Sequence, residues 1–126
     1  MRHLAWIAAA AALATPAFAD ALPSRVGQCA ATTVKRVETR LSDGAGALVP
    51  DSGSAIVFAN GGYQVSYEQI PEVDASRPRD PVRMCIVEIP QGCPPGDNRG
   101  RVYKTTNLRT HASWTLPDSE HSCGGA

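Results

Sequence analysis

Turn-forming residues divide most of this chain into short segments, and the segments between them carry side chains typical of β-strands. The stretch SAIVFANGGYQVSYEQ, Ser54 to Gln69, places two such runs on either side of Asn60-Gly61-Gly62. An Asn-Gly turn between β-rich runs is typical of a β-hairpin. Tyr63, Val65 and Tyr67 alternate with polar residues in the second run. We therefore expect the face that carries them to be buried.

Three further segments have the features of strands. PVRMCIVEI, Pro81 to Ile89, is apolar at most positions, which predicts a strand covered on both sides. RVYKTTNLRTHASWTL, Arg101 to Leu116, predicts a second hairpin around Asn107-Leu108-Arg109. CAATTVKRVETRL, Cys29 to Leu41, has apolar residues at helical spacing, but its threonines and valines favour a strand. We predict a strand there, with a bulge allowed, and helix is the alternative.

Together these segments predict an all-β fold, a small antiparallel barrel or sandwich of five or six strands. Residues 42–53 and 71–81 have the composition of loops. The residues that we expect in the core are Ile56, Phe58, Val65, Tyr67, Ile86, Val87, Val102 and Trp114.

The N-terminus has the pattern of a secretory signal peptide. MRHLAWIAAAAALATPAFA combines Arg2, a short apolar run and the small-residue site Ala17-Phe18-Ala19, which predicts residues 1–19 as the signal with cleavage before Asp20. The apolar run from Leu4 to Ala14 is shorter than the roughly 20 residues that a membrane-spanning helix needs. We expect one soluble domain, residues 20–126, in the periplasm or secreted, with no membrane anchor.

The charge of the chain gives no reason to expect nucleic acid as a partner. Twelve basic side chains balance twelve acidic ones, and loss of Arg2 with the signal leaves about one net negative charge. Nucleic-acid binding depends on clustered basic residues that neutralise phosphates. The sequence has no such cluster.

Four cysteines, Cys29, Cys85, Cys93 and Cys123, lie after the predicted signal. An even number in an exported chain predicts two disulfides, and four cysteines allow three pairings. We favour Cys29 with Cys123, which would join the ends of the domain, and Cys85 with Cys93, which would close a local loop. A turn at residues 89–92 would place Glu88, and not Cys85, opposite Cys93. The Cys85–Cys93 pair therefore requires the strand to bend near Val87.

The spacing of the candidate ligands predicts neither a metal ion nor a cofactor. Structural zinc sites use four ligands in close pairs, whereas seven residues separate Cys85 from Cys93. A thioredoxin-type redox pair has two intervening residues. After Asp97, Arg99 and Arg101 occupy alternate positions where a calcium loop needs oxygen ligands. We expect this segment to be a surface turn that leads into the strand at Arg101.

Two classes of function follow from these observations. The favoured hypothesis is a binding or inhibitor module without catalytic residues, whose partner is a protein or glycan of the cell envelope. The alternative is a small exported hydrolase or metal-dependent enzyme that uses His111, His121 and Asp118. Aromatic side chains and arginines dominate many binding sites. The candidate binding residues are Tyr63, Tyr67, Arg99, Arg101 and Trp114.

Several stretches of the chain, SGSAI, NGGYQVSY, CPPGDNRGRVYKTTN and SWTLPDSEHSCGG, resemble those of small uncharacterised exported proteins of proteobacteria. The resemblance covers most of residues 20–126. It implies export and brings no activity, ligand or catalytic residue with it.

Overall fold

The computed structural model describes residues 20–125, so the predicted signal peptide lies outside the described residues. The described part contains six strands and one single-turn helix: β1 (Cys29–Thr39), β2 (Ser54–Phe58), β3 (Tyr63–Val65), α1 (Pro71–Asp74), β4 (Pro81–Glu88), β5 (Val102–Asn107) and β6 (Ser113–Pro117). All strand pairs are antiparallel, and the spatial order is β3-β2-β1-β4-β5-β6. The predicted all-β class is confirmed.

The sheet curls into a half-barrel, because its two edge strands, β3 and β6, come into contact. Its concave face encloses the apolar core. Helix α1 contacts β1, β2 and β6, which belong to both halves of the sheet. Its Val73 is part of the core. The buried core residues are Ala30, Val34, Ile56, Phe58, Val73, Val82, Met84, Ile86, Tyr103 and Trp114.

Strand β1 is the central strand, and a bulge divides it into two pairing regions. Residues 29–33 pair with β4, whereas Val34 and residues 36–39 pair with β2 across a register shift. A bulge bends a strand and increases its twist, which suits a curled sheet. The prediction of a bulged strand in this region is confirmed, and the helical alternative is wrong.

Both predicted hairpins are present. Strands β2 and β3 flank the Asn60-Gly61-Gly62 turn, and β5 and β6 flank residues 108–112. Strand β4, however, is covered on one face only. Val82, Met84 and Ile86 are buried, whereas the other residues of β4 are exposed, apart from the half-buried Cys85. The prediction of a strand covered on both sides was wrong, because the convex face of the half-barrel is open to solvent along β4.

The predicted core is correct at five of its eight positions, since Ile56, Phe58, Val65, Ile86 and Trp114 are buried. Tyr67 and Val87 are exposed, at 59% and 44%, and Val102 is half-buried. The alternation predicted for β3 holds only at Val65, because Gln64 on the opposite face is buried as well. Gln64, paired with Ile56, faces the core and is fully buried, whereas Tyr63 is only half-buried.

All four cysteines form disulfides, but the predicted pairing was wrong. Cys29 is bonded to Cys85 and Cys93 to Cys123. The register of β1 and β4 places Cys29 directly opposite Cys85, with 4.0 Å between their Cα atoms. Cys93 therefore pairs with Cys123, and this bond ties the β4–β5 connection to the C-terminal segment.

Candidate functional site

The structure does not bring together the three residues of the enzyme alternative. The His111 amide donates to the Asn107 carbonyl at the turn of the β5–β6 hairpin, whereas the Asp118 amide donates to the Arg101 carbonyl at the other end. Six residues of extended chain separate Asn107 from Arg101, which is about 20 Å. His121 is exposed and follows Asp118 by three residues.

Asp118 has a role in holding the end of the hairpin. Its Oδ1 accepts a hydrogen bond of 2.8 Å from the Gly100 amide. Burial raises the pKa of Asp118, and hydrogen bonds from the Gly100 and Arg101 amides oppose the rise. Burial also raises the pKa of Tyr103, followed by the charge of Asp118. The hydrogen bonds of Asp118 hold Gly100 and Arg101, which precede β5, against the end of β6. Tyr103 is buried, with 2% of its surface exposed.

Arg99 is committed to a local ion pair. Its Nε and Nη2 donate to Asp97 at 3.0 and 2.9 Å, and Nη2 also donates to the Gly125 carbonyl at 3.0 Å. The hydrogen bonds from Arg99 and then from the Gly124 amide hold the pKa of Asp97 well below its usual range. This network joins the predicted surface turn to the C-terminal segment, beside the Cys93–Cys123 bond.

Trp114 is part of the core and not of a recognition face. Its ring is 5% exposed, and its Nε1 donates to Gln64 Oε1 at 2.8 Å. Arg101, the remaining arginine candidate, is half-buried beside Tyr103.

Tyr67 is the candidate that the structure leaves available to a partner. It is 59% exposed, and the guanidinium carbon of Arg40 lies 4.4 Å from the centroid of its ring. Arg40 is itself fixed, because its Nη1 donates to Glu120 Oε1 at 2.7 Å and its Nε to the Ser52 carbonyl at 2.6 Å. An arginine stacked on an aromatic ring restrains the ring.

Tyr63 shares these surroundings from the convex face of β3. Burial raises the pKa of Tyr63, the carboxylates of Glu120 and Glu38 raise it further, and Arg40 opposes them. The structure thus brings together two of the five predicted binding residues. We call the group Arg40, Tyr63, Tyr67 and Glu120 the Tyr67 corner.

The loop between β1 and β2, residues 40–53, lies against the Tyr67 corner. Its last residue, Gly53, has φ +113°, and a Cβ there would stand 2.0 Å from the Ser66 carbonyl oxygen. Only glycine permits so close an approach. Every residue from 41 to 48 is exposed, including Leu41 and Leu48.

The sequence analysis predicts this loop but assigns neither it nor Arg40 and Glu120 to a binding surface. Nothing local distinguishes Arg40 from other arginines, since its partner Glu120 is 80 residues away in the chain. The loop carried a signal, because its leucines stand in a segment otherwise dominated by glycine, alanine, serine and aspartate.

Comparison with known proteins gives no match to a protein-family model, to a curated protein or to a solved structure. Within residues 20–125, no group of three or more histidine, cysteine, aspartate or glutamate side chains is arranged to hold a metal ion. In the same part of the chain, no helix has the length and hydrophobicity needed to cross a bilayer.

Proposed function

We propose that this protein is an exported binding module without catalytic activity, which engages a protein or glycan of the cell envelope through the Tyr67 corner. The observation that carries the proposal is the exposed Tyr67 ring, held in place by Arg40. Tyrosine and arginine are enriched among the residues that contribute most to binding interfaces.

The rigidity of the corner supports this role. Immobilising a flexible side chain on binding costs about 0.5–1.5 kcal/mol, and a side chain that is already fixed avoids most of that loss. Arg40 is held by a carboxylate and a backbone carbonyl before any partner arrives. The surface can therefore bind without first becoming ordered.

The cysteines support export. Both disulfides join residues that are distant in sequence, by 56 and 30 positions, and such bonds persist in oxidising compartments. With the signal-peptide pattern of residues 1–19, they favour the periplasm or the extracellular space. Intact mass of the exported product should correspond to a chain that begins at Asp20.

Affinity capture tests the proposal. Oxidised protein, residues 20–126, is immobilised and exposed to envelope proteins and to cell-wall glycan from the source organism. Tyr67→Ala should weaken the recovered interaction at least tenfold, which corresponds to about 1.4 kcal/mol. Val87→Ala is the matched control, because Val87 is also exposed but lies in β4.

Three results would reject the proposal. The first is that the immobilised protein retains neither protein nor glycan. The second is that Tyr67→Ala and Val87→Ala bind equally well. The third is turnover of the captured material by the purified chain, which would favour the enzyme alternative.

A further inference from the structure

The loop between β1 and β2 displays apolar side chains outside the core. Leu41 is 41% exposed and Leu48 is 51% exposed. The positions between them belong to a surface segment with no buried residue. A single exposed leucine is ordinary on a protein surface. Here two of them stand on one loop, whose end residues Arg40 and Gly53 contact Tyr67.

The tip of the loop is rigid despite its glycines. Asp43 Oδ1 accepts hydrogen bonds from the Ala45 amide at 2.8 Å and from the Ala47 amide at 2.9 Å. The Asp43 amide donates to the Ala47 carbonyl at 2.7 Å, and a β-bridge pairs Ser42 with Leu48. The backbone that carries Leu48 is therefore fixed by the loop itself.

The base of the loop is held by two hydroxyl groups. Thr39 Oγ1 donates to the Leu41 carbonyl at 2.6 Å and accepts from the Val49 amide at 3.2 Å. Ser52 Oγ accepts from the Leu41 amide at 3.1 Å and donates to the Val49 carbonyl at 2.7 Å. A preorganised loop loses little conformational entropy when it binds.

The charges of the loop indicate the chemistry of its partner. Between residues 41 and 53 the ionisable side chains are Asp43 and Asp51, both acidic. Arg40, at the base, is already paired with Glu120. A partner that covers the leucines would therefore meet negative charge around them, and complementary potentials favour association.

We infer that the β1–β2 loop inserts Leu48 into a concave apolar site of a protein partner whose rim is basic. This inference rests on the proposed binding function and specifies its contact surface. An exposed loop requires a concave counterpart, and leucine side chains require an apolar one. A glycan offers hydroxyl groups rather than such a pocket.

Site-specific photo-crosslinking tests the inference on the full chain from residue 20, with both disulfides intact. A benzophenone amino acid is placed at position 48 in one protein and at position 108 in the other. Leu108 is the matched control, because it is 48% exposed and lies in the β5–β6 turn. The probe mixture is the envelope protein extract of the source organism. We expect position 48 to give at least tenfold more of one protein adduct than position 108.

Competition with unlabelled variants measures the contribution of the leucine and of the charge. Leu48→Asp should compete at least tenfold more weakly than the unsubstituted protein, whereas Leu108→Asp should compete equally well. Asp51→Asn should weaken competition two- to fivefold, with the largest effect at low salt. Asparagine suits this position because Asp51 has φ 60°.

The outcomes separate this inference from the proposed function. If the immobilised protein retains a partner but Leu48→Asp retains it equally, the loop is not the contact and only the inference is rejected. A glycan adduct at position 48 also overturns the inference, because the partner class is then wrong. If the unsubstituted protein retains nothing, both the inference and the proposed function are rejected.

Discussion

Gln64 is the residue whose replacement tests most directly how the half-barrel is held closed. It lies on the edge strand β3, is fully buried, and reaches across the core to the opposite edge of the sheet. Its Nε2 donates to the carbonyls of Tyr103 and Leu116 at 2.8 and 3.0 Å. Its Oε1 accepts from Thr105 Oγ1 at 2.7 Å and from Trp114 Nε1 at 2.8 Å. One side chain thus joins β3 to both β5 and β6.

The Gln64→Ala variant should lose about 3–6 kcal/mol of unfolding free energy. The substitution leaves the Thr105 hydroxyl and the Trp114 indole NH in the core without their acceptor. Each buried donor without a partner costs about 1–3 kcal/mol, and the space left by the amide adds to the loss. Because small domains have a total stability of about 5–15 kcal/mol, the variant should be close to unfolding.

Urea unfolding followed by tryptophan fluorescence measures this loss. Trp114 is the one tryptophan of residues 20–126, since Trp6 belongs to the predicted signal. Gln91→Ala is the matched control, because Gln91 is exposed and such surface changes alter stability by less than about 0.5 kcal/mol. A loss below about 1 kcal/mol for Gln64→Ala would show that the four hydrogen bonds do not hold the sheet closed.

The Gln64→Glu variant tests the direction in which stability changes with pH. A carboxylate at this position can accept from Thr105 and Trp114, but it would face two carbonyl oxygens that accept hydrogen bonds from the amide in the wild type. Burial and these carbonyls should raise the pKa of the glutamate above its unfolded value of about 4.3. The stability of the variant relative to wild type should therefore be greatest below pH 4 and should fall as the pH rises through the folded pKa. A difference that does not change between pH 4 and 7 would refute this account.

Two further predictions concern the disulfides and the acid stability. Peptide mapping without reduction should recover Cys29–Cys85 and Cys93–Cys123 peptides, and a Cys29–Cys123 peptide would contradict the fold. The hydrogen bonds from Arg109, the largest cause, hold the pKa of Asp80 well below its usual range. The stability that Asp80 adds is present above its unfolded pKa of about 3.9 and is lost as the pH falls through the lower folded pKa. The advantage of wild type over Asp80→Asn in urea should therefore shrink between pH 5 and 2, and a constant advantage would contradict this role.

The parts of the fold that the sequence predicted are those set by neighbouring residues. Asn60-Gly61-Gly62 specifies a tight turn, and the flanking β-rich runs must then pair with each other. The same holds for the β5–β6 hairpin. In β1, the threonines and valines favoured a strand over a helix because β-branched side chains lose freedom in a helix.

The alternation in β3 shows what such local signals leave open. A period of two establishes that a strand has two faces, but not which face is inside. Apolarity favoured Tyr63 and Tyr67, yet Gln64 faces the core because partners 39 to 52 residues away satisfy its amide. A buried polar group is tolerated when its hydrogen bonds are complete.

Only the tyrosines of the Tyr67 corner could be predicted, because the corner also depends on residues that are distant in sequence. The sequence predicts both tyrosines as aromatic binding candidates and predicts Tyr67 as a core residue as well. Its surroundings are formed by Gly53, which lies against its backbone, and by Arg40, whose guanidinium covers one side of the ring. Arg40 is placed there by Glu120, and no pattern in the sequence relates residues so far apart.

The cysteine pairing is determined by the order of the strands, and loop length alone does not predict it. Disulfides that close loops of 56 and 30 residues each stabilise by about 4 kcal/mol in the chain-entropy estimate, so loop length does not select one pairing over another. The sheet selects it, because β1 lies beside β4 with Cys29 opposite Cys85. That bond links strands that the sheet already joins, whereas Cys93–Cys123 fixes the segment after β6. Since Glu120 belongs to that segment and holds Arg40, the second disulfide also supports the surface that we propose for binding.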